Sequence, residues 1–465
     1  MKKRVFLGLI VLAGVLAAAA QNRPSPQSYT LEGAVRAAVE RNPIRRALEH
    51  NVAGARMDLR RANIHKYAPK LNAQFYTGLV PEARGDIFSS PDLQTDLNGL
   101  GPYAKFSLEL VQPLLTFGQA GSAVRAAERG VAMEEHKKRY ALQDLAFETI
   151  KAFWSMSTAA RAVKVADESR EKYETLLSEI RARLEKKDTD VDDIDLLEAK
   201  SYYFDIVKIQ EDCHESGVLA SELFRALLDL DKETEISLTE ETSPRFGLDE
   251  RMMDGAVQLA YELRADIRSA GFGLQALQAR VDLEKRQRFP VVFLAAGLRY
   301  ARAGNRQDQT NPFVVDDFNY RSLGATIGLS WSPDLLLHNA EIRKARAEYE
   351  AAAEKIQSLR RQVRLEVSQA FLEAKKNETL LEAAKESRAA AKTWLRTSMD
   401  NWDLGIGDAF RILRAYQAYF RTSRTEIESE YAFNVALARL SRELGDVDLY
   451  LRWIRDGQVT LEDIP

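Results

Sequence analysis

The stretch VQPLLTFGQA, residues 111–120, marks a change of architecture along this chain. Before it, apolar and polar residues alternate, which is typical of a β-strand with one apolar face. After it, apolar residues recur every three or four positions, which is typical of a helix, and no proline interrupts that pattern as far as Lys186. Pro113 is expected to end the strand because it cannot donate a ladder hydrogen bond, and Gly118 to allow the turn into the helix.

The composition describes an ordinary folded chain that leaves the cytoplasm. It has 465 residues, of which 29% are charged, and a formal net charge of -3, so no nucleic-acid partner is expected. Residues 1–20 combine a basic start, an apolar centre and a small-residue end, which predicts a secretory signal peptide cleaved after Ala20. No later stretch approaches the roughly 20 apolar residues of a membrane-spanning helix. Contact with a membrane would therefore be made by strands or by a surface.

An internal repeat organises the rest of the chain. The sequence YTLEGAVRAAVERNPIRRAL from Tyr29 is echoed near Phe246, and Pro113 and Phe153 have counterparts in Pro333 and Phe371. The predicted segments are a signal peptide (1–20), a first repeat (21–230), a linker (231–248), a second repeat (249–445) and a C-terminal segment (446–465). Strands are predicted near 70–79, 104–112, 290–301 and 320–331, long helices at 119–186 and 338–402, and shorter helices after them at 191–228 and 408–444.

The long helices exclude a compact globular domain. A helix over 119–186 would be roughly 100 Å long at 1.5 Å per residue, whereas globular helices usually have about 8 to 20 residues. Its apolar positions follow a 3-4 spacing with many alanines, which favours close packing against other long helices. In each half, a further helix predicted before the strands, at 43–66 or 265–288, and the shorter helix after the long one would together match the long helix in length.

The predicted strands each have one apolar face. Leu71, Ala73 and Phe75 alternate with polar residues, and the same alternation occurs in the other three strands. Half-buried strands of a soluble sheet would explain one such strand, but four of about ten residues beside very long helices favour strands that cross a bilayer. Four strands cannot close a membrane barrel, and unpaired edges are not tolerated in lipid. The barrel must be shared between chains, and three chains of four strands would give twelve.

At this point the sequence resembles the TolC-type outer-membrane efflux proteins. The resemblance is carried by YTLEGAVRAAVERNP, QPLLTFGQA, LGIGDAFRILRA and the duplicated plan, and it covers nearly all of the chain after residue 20. It implies a mainly α fold with a β-barrel part: a long α-helical tunnel in the periplasm, and four transmembrane strands per chain completing a 12-stranded barrel in a homotrimer. It also implies a conduit through outer membrane lipid that works with a periplasmic adaptor (membrane fusion) protein and an inner-membrane transporter, in efflux or type I secretion.

The tunnel is expected to narrow where the helix pairs turn. When the two repeats are aligned there, Asp195 meets Arg411 and Glu198 meets Arg414. The family commonly has acidic residues at the positions of Arg411 and Arg414, so this chain departs from it. One hypothesis is that the four residues pair between neighbouring helices and hold a periplasmic gate shut; the alternative is a solvated charged face.

The resemblance also assigns two further sets of residues. Pro113, Phe117, Gly118 and Pro333 would form the strand-to-helix junctions. The adaptor is expected to contact the tips of the helix pairs, at Lys187, Asp188, Asp190, Trp402, Asp403, Gly405 and Gly407.

Two rival classes of protein are considered. For an enzyme, the chain has no GxxxxGK[ST] and no complete GxGxxG, and adjacent residues such as Cys213 and His214 point apart on a helix. No catalytic residue, cofactor or metal ligand is predicted. A soluble periplasmic coiled-coil adaptor or scaffold would explain the helices but not four alternating strands. The transported substrate stays open.

Overall fold

The computed structural model describes residues 27–82, 99–186, 193–247, 249–308, 313, 316–404 and 409–460. In the first half of the chain the elements are β1 (Gln27–Tyr29), α1 (Leu31–Arg41), α2 (Pro43–Tyr67), β2 (Lys70–Val80), β3 (Gly101–Leu115), α3 (Gln119–Glu185), α4 (Asp193–Leu228) and β4 (Ile236–Leu238). In the second half they are β5 (Arg245–Phe246), a 3-10 turn (Glu250–Met252), α5 (Met253–Leu263), α6 (Ala265–Arg286), β6 (Val291–Ala303), β7 (Tyr320–Ser330), α7 (Leu335–Asp403), α8 (Ala409–Leu444), α9 (Asp448–Asp456) and β8 (Gln458–Val459).

Short polar side chains start several helices. The Thr30 hydroxyl accepts a hydrogen bond from the backbone N–H of Gly33 (3.0 Å) at the start of α1. The Asn42 side chain accepts one from Ile44 (3.0 Å), where α1 ends and Pro43 opens α2. Asp334 accepts one from Leu337 (2.9 Å) at the start of α7. These caps satisfy backbone donors that the first turn of a helix leaves without partners.

The four long strands form one antiparallel sheet in the order β2-β3-β6-β7. β3 and β6 lie in the centre, and their contact joins the two halves of the chain. β3 does not end at Pro113 as predicted, because it continues to Leu115 with a shift of register between Pro113 and Leu115. A proline fits at such an irregularity since no ladder hydrogen bond is required of its nitrogen.

Two pairs of short parallel strands join segments that are far apart in the sequence. β1 pairs with β4, and β5 pairs with β8. Each strand that opens a half of the chain therefore pairs with a strand near the end of the same half.

The chain divides into two compact units. The first comprises Met1–Glu49, Lys137–Ile267 and Ser358–Pro465, and its described residues form helices and the short parallel strands. Its core includes Phe153 and Phe371, which occupy equivalent places in the two halves and are both fully buried. Burial of such a side chain contributes about 1.5–3 kcal/mol. Aromatic residues thus anchor α3 and α7 within this unit.

The second unit comprises His50–His136 and Arg268–Gln357 and contains the four-stranded sheet with the helix segments next to it. The long helices α3 and α7 each contribute residues to both units. Among the helices that the structure describes, none combines the length and the apolar character that crossing a membrane requires.

Candidate functional site

The four-stranded sheet exposes an apolar face. Six of its large hydrophobic side chains have between 61% and 82% of their surface accessible: Leu71, Phe75, Leu79, Leu323, Ile327 and Leu329. Alternation along each strand puts these residues on the same side of the sheet. Soluble monomers seldom expose so large a contiguous apolar patch. This face therefore requires an apolar environment.

The opposite face of the same sheet is polar and concave. It lines a cavity of about 710 Å³. Its polar side chains form three rows across the strands, which hold Asn72 and Glu109, then Gln74, Ser107, Arg299 and Ser322, then Tyr76, Lys105 and Tyr320. Gly297 and Gly324 complete the row of Glu109 and leave space beside its carboxylate. A polar concavity behind an apolar face is the arrangement of a wall between lipid and water.

Both edges of this sheet are unpaired in the part of the chain that the structure describes. There, β2 pairs only with β3, and β7 pairs only with β6. Each edge strand has 11 residues, which is long for an edge that faces solvent. An unpaired edge cannot face lipid, because its N–H and C=O groups would have no partners. The edges of several chains would therefore have to join.

The junction between β3 and α3 adopts a left-handed backbone. Phe117 has φ +46° and Gly118 φ +86°, so two successive residues turn the chain into the helix. Only Gly118 suits this conformation without a steric penalty, and a Cβ at this position would collide with the guanidinium of Arg286. Sequence reasoning assigned the turn to Gly118 alone. Phe117 was missed as a left-handed residue because phenylalanine rarely adopts positive φ.

The end of α6 holds this junction in place. The Phe117 ring stacks on Phe289 with centroids 5.9 Å apart. The Gln119 side chain donates hydrogen bonds to the carbonyls of Arg286 (3.1 Å) and Phe289 (2.9 Å). On the second strand-to-helix junction, which contains Pro333, the Trp331 indole donates to the carbonyl of Arg288 (3.0 Å). Both junctions therefore make hydrogen bonds to the same short segment, residues 286–289.

The ends of four helices, two of which bear the gate residues, pack around an apolar cluster. Its buried members come from α3, α4, α7 and α8: Tyr173, Leu176, Leu177, Ile180, Ala199, Ile206, Leu395, Trp402, Ile412, Leu413, Ala415 and Tyr416. The Tyr173 hydroxyl donates to the carbonyl of Ala199 (2.9 Å), and burial raises the pKa of this phenol. The Arg183 guanidinium lies 3.8 Å from the centroid of the Trp402 ring. The two helix pairs are thus joined by packing and by a cation–π contact.

The structure places the candidate gate residues next to this cluster. Arg411 and Arg414 are exposed on α8, and the Arg414 guanidinium lies 4.1 Å from the Phe410 ring centroid. Glu198 accepts a hydrogen bond from the Tyr202 hydroxyl (3.2 Å). Within the described residues of this single chain, no ion pair joins Glu198 to Arg411 or Arg414. Asp195 belongs to α4, but its side chain is outside the description.

Most of the expected adaptor-contact residues lie outside the described part of the chain. These are Lys187, Asp188, Asp190, Gly405 and Gly407, and the side chain of Asp403 at the end of α7. Trp402 is described and is only 3% exposed. Its observed contacts are with the apolar cluster and Arg183.

A buried network of charges was missed by sequence reasoning. Arg264, which is 4% exposed, binds Asp266 (2.8 Å), Glu366 (2.9 Å) and Glu443 (2.7 Å). Glu443 also accepts a hydrogen bond from Arg442 (2.7 Å). The sequence offers little signal for this network because Arg264 lies 102 and 179 residues from two of its partners. It connects the α5–α6 turn to α7 and to the end of α8.

The network changes the pKa values of two of its members, Arg264 and Glu443. Burial opposes the charged form of Arg264, but the hydrogen-bonded carboxylate of Asp266 and the charges of Glu443 and Glu366 outweigh it, so the pKa of Arg264 is raised. Burial raises the pKa of Glu443 even though Arg442 and Arg264 lower it. Gly445, at φ +94°, ends α8 in direct contact with the backbone of Arg264, and a Cβ there would come within 2.8 Å of the Arg264 Cα. A larger residue would displace the arginine.

Comparison with known proteins agrees with this architecture. Residues 256–446 match the model of a protein family described as outer membrane efflux protein. The solved structure of the outer membrane protein VceC from Vibrio cholerae is 17% identical, with a TM-score of 0.70 over 90% of this chain and 96% of that chain. The Campylobacter jejuni CmeC outer membrane channel is 13% identical, with a TM-score of 0.71 over 92% and 89% of the two chains. A membrane protein from Pseudomonas aeruginosa is 20% identical, with a TM-score of 0.73 over 90% of each chain. No curated protein sequence matches.

The fold is therefore that of the outer-membrane channels with long helices and a four-stranded sheet per chain, as predicted. The family match adds that residues 256–446, within the second half of the chain, are similar to the outer membrane efflux proteins.

Proposed function

We propose that three copies of this chain form the outer-membrane channel of a tripartite efflux or type I secretion system. The observation that carries the proposal is the sheet, which exposes an apolar face, lines a polar concavity with the other and leaves both edges unpaired. The apolar face can lie against lipid, and the polar face can lie against water. Joining β2 of one copy to β7 of the next would satisfy both edges.

The number of copies follows from the strands. A bacterial membrane barrel has at least about eight strands, so one chain with four cannot close it. Channels of this family are trimeric and work with adaptors and inner-membrane pumps. Three chains of four strands give a barrel of twelve. The energy for transport would then come from the pump.

The oligomer and its location can be tested together. The full chain, produced with residues 1–20, should fractionate with outer membranes and run as a trimer on unheated gels and as a monomer after boiling. The purified trimer should form ion-conducting channels in planar bilayers. A water-soluble periplasmic monomer would contradict the proposal and support a soluble adaptor or scaffold.

We also propose that Asp195, Glu198, Arg411 and Arg414 contribute to a periplasmic gate. Support comes from the exposure of both arginines on α8 beside the apolar cluster, where they are available to carboxylates of a neighbouring chain. One exposed pair contributes only about 0–1 kcal/mol, but threefold repetition would hold a gate that must also open.

A double variant tests the gate. Arg411→Ala with Arg414→Ala should raise the open probability of single channels, whereas Arg343→Ala, an exposed arginine on α7 in the sheet-containing unit, should leave it unchanged. Equal open probabilities in the double variant and the unmodified channel would count against the gate.

The adaptor is proposed to dock at the two turns that join α3 to α4 and α7 to α8. The turn residues are Lys187, Asp188, Asp190, Asp403, Gly405 and Gly407, while buried Trp402 would support the second turn from inside. Site-specific photo-cross-linking from position 188 or 190 in whole cells should capture the adaptor. The same probe at exposed Glu233 is the control.

A further inference from the structure

One row on the apolar face of the sheet combines aromatic residues with a single basic residue. Phe75, Phe106, Tyr300 and Arg321 lie directly beside one another on β2, β3, β6 and β7. We call these four residues the rim row. It lies towards the strand ends that carry the connections β2–β3 and β6–β7, which face the cell exterior in the proposed channel. Phe75 is 67% exposed and Tyr300 49%.

The residues that follow Arg321 on β7 set its level relative to lipid. On the same face of β7, Leu323, Ala325, Ile327 and Leu329 follow without another charge. Leu329 lies eight residues from Arg321, or about 27 Å along the strand, which a strand tilt of about 35–45° reduces to a height of about 19–22 Å, most of the apolar band of about 25 Å. An arginine facing lipid costs about 2–4 kcal/mol at the midplane and about 0–1 kcal/mol near the interface. Arg321 therefore belongs at the outer interface.

The charged residues near Arg321 leave its guanidinium available to bind an anion. Arg302, in the next row towards the connections, binds Asp308 (2.6 Å). No ion pair of Arg321 is present among the residues that the structure describes, and its side chain is exposed. The neighbours of Arg321 in the rim row are aromatic, and aromatic residues favour the level of lipid headgroups.

We propose that the rim row is a binding surface for the phosphate groups of lipids in the outer leaflet. The guanidinium of Arg321 can donate two parallel hydrogen bonds to a phosphate, and the rings of Tyr300, Phe106 and Phe75 contact the start of the acyl chains. In a trimer the surface occurs three times, once on each chain. The inference rests on the proposed function, because it requires the apolar face to lie in the outer membrane.

A matched pair of variants tests this surface. Arg299 lies on β6 one row away from Tyr300, but on the polar face. Delipidated trimers of the unmodified chain, Arg321→Ala and Arg299→Ala are each mixed with phosphatidylglycerol in detergent, and the temperature of trimer dissociation is measured. The lipid should raise this temperature by about 2 °C or more in the unmodified chain and in Arg299→Ala. Arg321→Ala should lose most of the increase.

Two further arms identify the source of the phosphate. Diacylglycerol, which lacks a phosphate, and inorganic phosphate at the same concentration should each leave the dissociation temperature unchanged. A response to inorganic phosphate alone, or equal lipid responses in Arg321→Ala and Arg299→Ala, would overturn the inference. If the unmodified chain gives no trimer and no channel conductance, the proposed function itself fails. A conducting trimer with no lipid response overturns only the rim-row inference.

Discussion

At the scale of single residues, Arg264 is a buried cation with three acidic partners. Their carboxylates come from the start of α6, from α7 and from α8. Removing one partner of a buried ion pair leaves the others without compensation, which costs more than the pair itself contributes. Arg264 therefore joins α6, α7 and α8 through its ion pairs as well as through packing.

Replacing Arg264 by Ala should lower the free energy of unfolding by about 3–5 kcal/mol, because the buried Glu443 and the half-buried Glu366 would lose the cation that they share. Chemical denaturation monitored by circular dichroism would measure the change. Arg251→Ala, at a side chain that is 94% exposed, is the control and should have almost no effect. Adding Glu443→Gln to Arg264→Ala should recover part of the loss, and a loss below about 1 kcal/mol in the single variant would contradict this account.

Glu443 should give stability a specific pH dependence. Its pKa is raised in the folded state, chiefly by burial, so the folded chain holds this proton more tightly than the unfolded chain. The stabilisation from this group is complete below the pKa of an unfolded glutamate and is lost as the pH rises through the higher folded value. Denaturation midpoints of the unmodified chain, relative to those of Glu443→Gln, should fall as the pH rises from 4 towards neutrality. Glu233→Gln, at an exposed side chain, should not show this relative fall.

At the scale of elements, the passage from strand to helix depends on backbone conformation. The sequence change at residues 111–120 predicted where β3 gives way to α3, and α3 begins at Gln119. The alternation at residues 71–76 likewise predicted which side chains share a face of β2. Both predictions use periodicities that the backbone imposes locally. The continuation of β3 past Pro113 was not predictable from β3 alone, because its pairing with β6 is a contact between residues nearly 180 positions apart.

Two glycine variants separate backbone strain from helix propensity in this region. Gly118→Ala should destabilise the chain by about 1–2 kcal/mol, since alanine is disfavoured at φ +86° and its Cβ would meet Arg286. Gly130→Ala, in the interior of α3 with open space around it, should stabilise it by up to about 1 kcal/mol. Unfolding measurements on the two variants would show shifts of opposite sign. Shifts of the same sign would indicate that Gly118 is not a conformational requirement.

At the scale of the whole molecule, the sequence predicted the fold class but not the contacts that fasten it. Long uninterrupted helical periodicity and four alternating strands are properties of local sequence, so they were visible at once. The Arg264 network, the Arg183–Trp402 contact and the stacking of Phe117 on Phe289 join residues far apart in the chain. Their partners become neighbours only after folding, and a single sequence carries no periodic signal for them.

The exposed apolar sheet also gives the sharpest test of membrane insertion. Ile327 and Thr326 are adjacent on β7 and point to opposite faces; Ile327 is 70% exposed and lies six residues from Arg321, near the middle of the apolar band. In a soluble sheet, lysine at either position would be tolerated, because both side chains would face water. In a membrane barrel, Ile327→Lys places a cation in lipid near the midplane at a cost of about 2–4 kcal/mol per chain, whereas Thr326→Lys faces the water-filled interior. The amount of heat-labile trimer in outer-membrane fractions should therefore fall sharply for Ile327→Lys and stay near normal for Thr326→Lys. Equal amounts of trimer from both variants would mean that the apolar face of the sheet does not contact lipid.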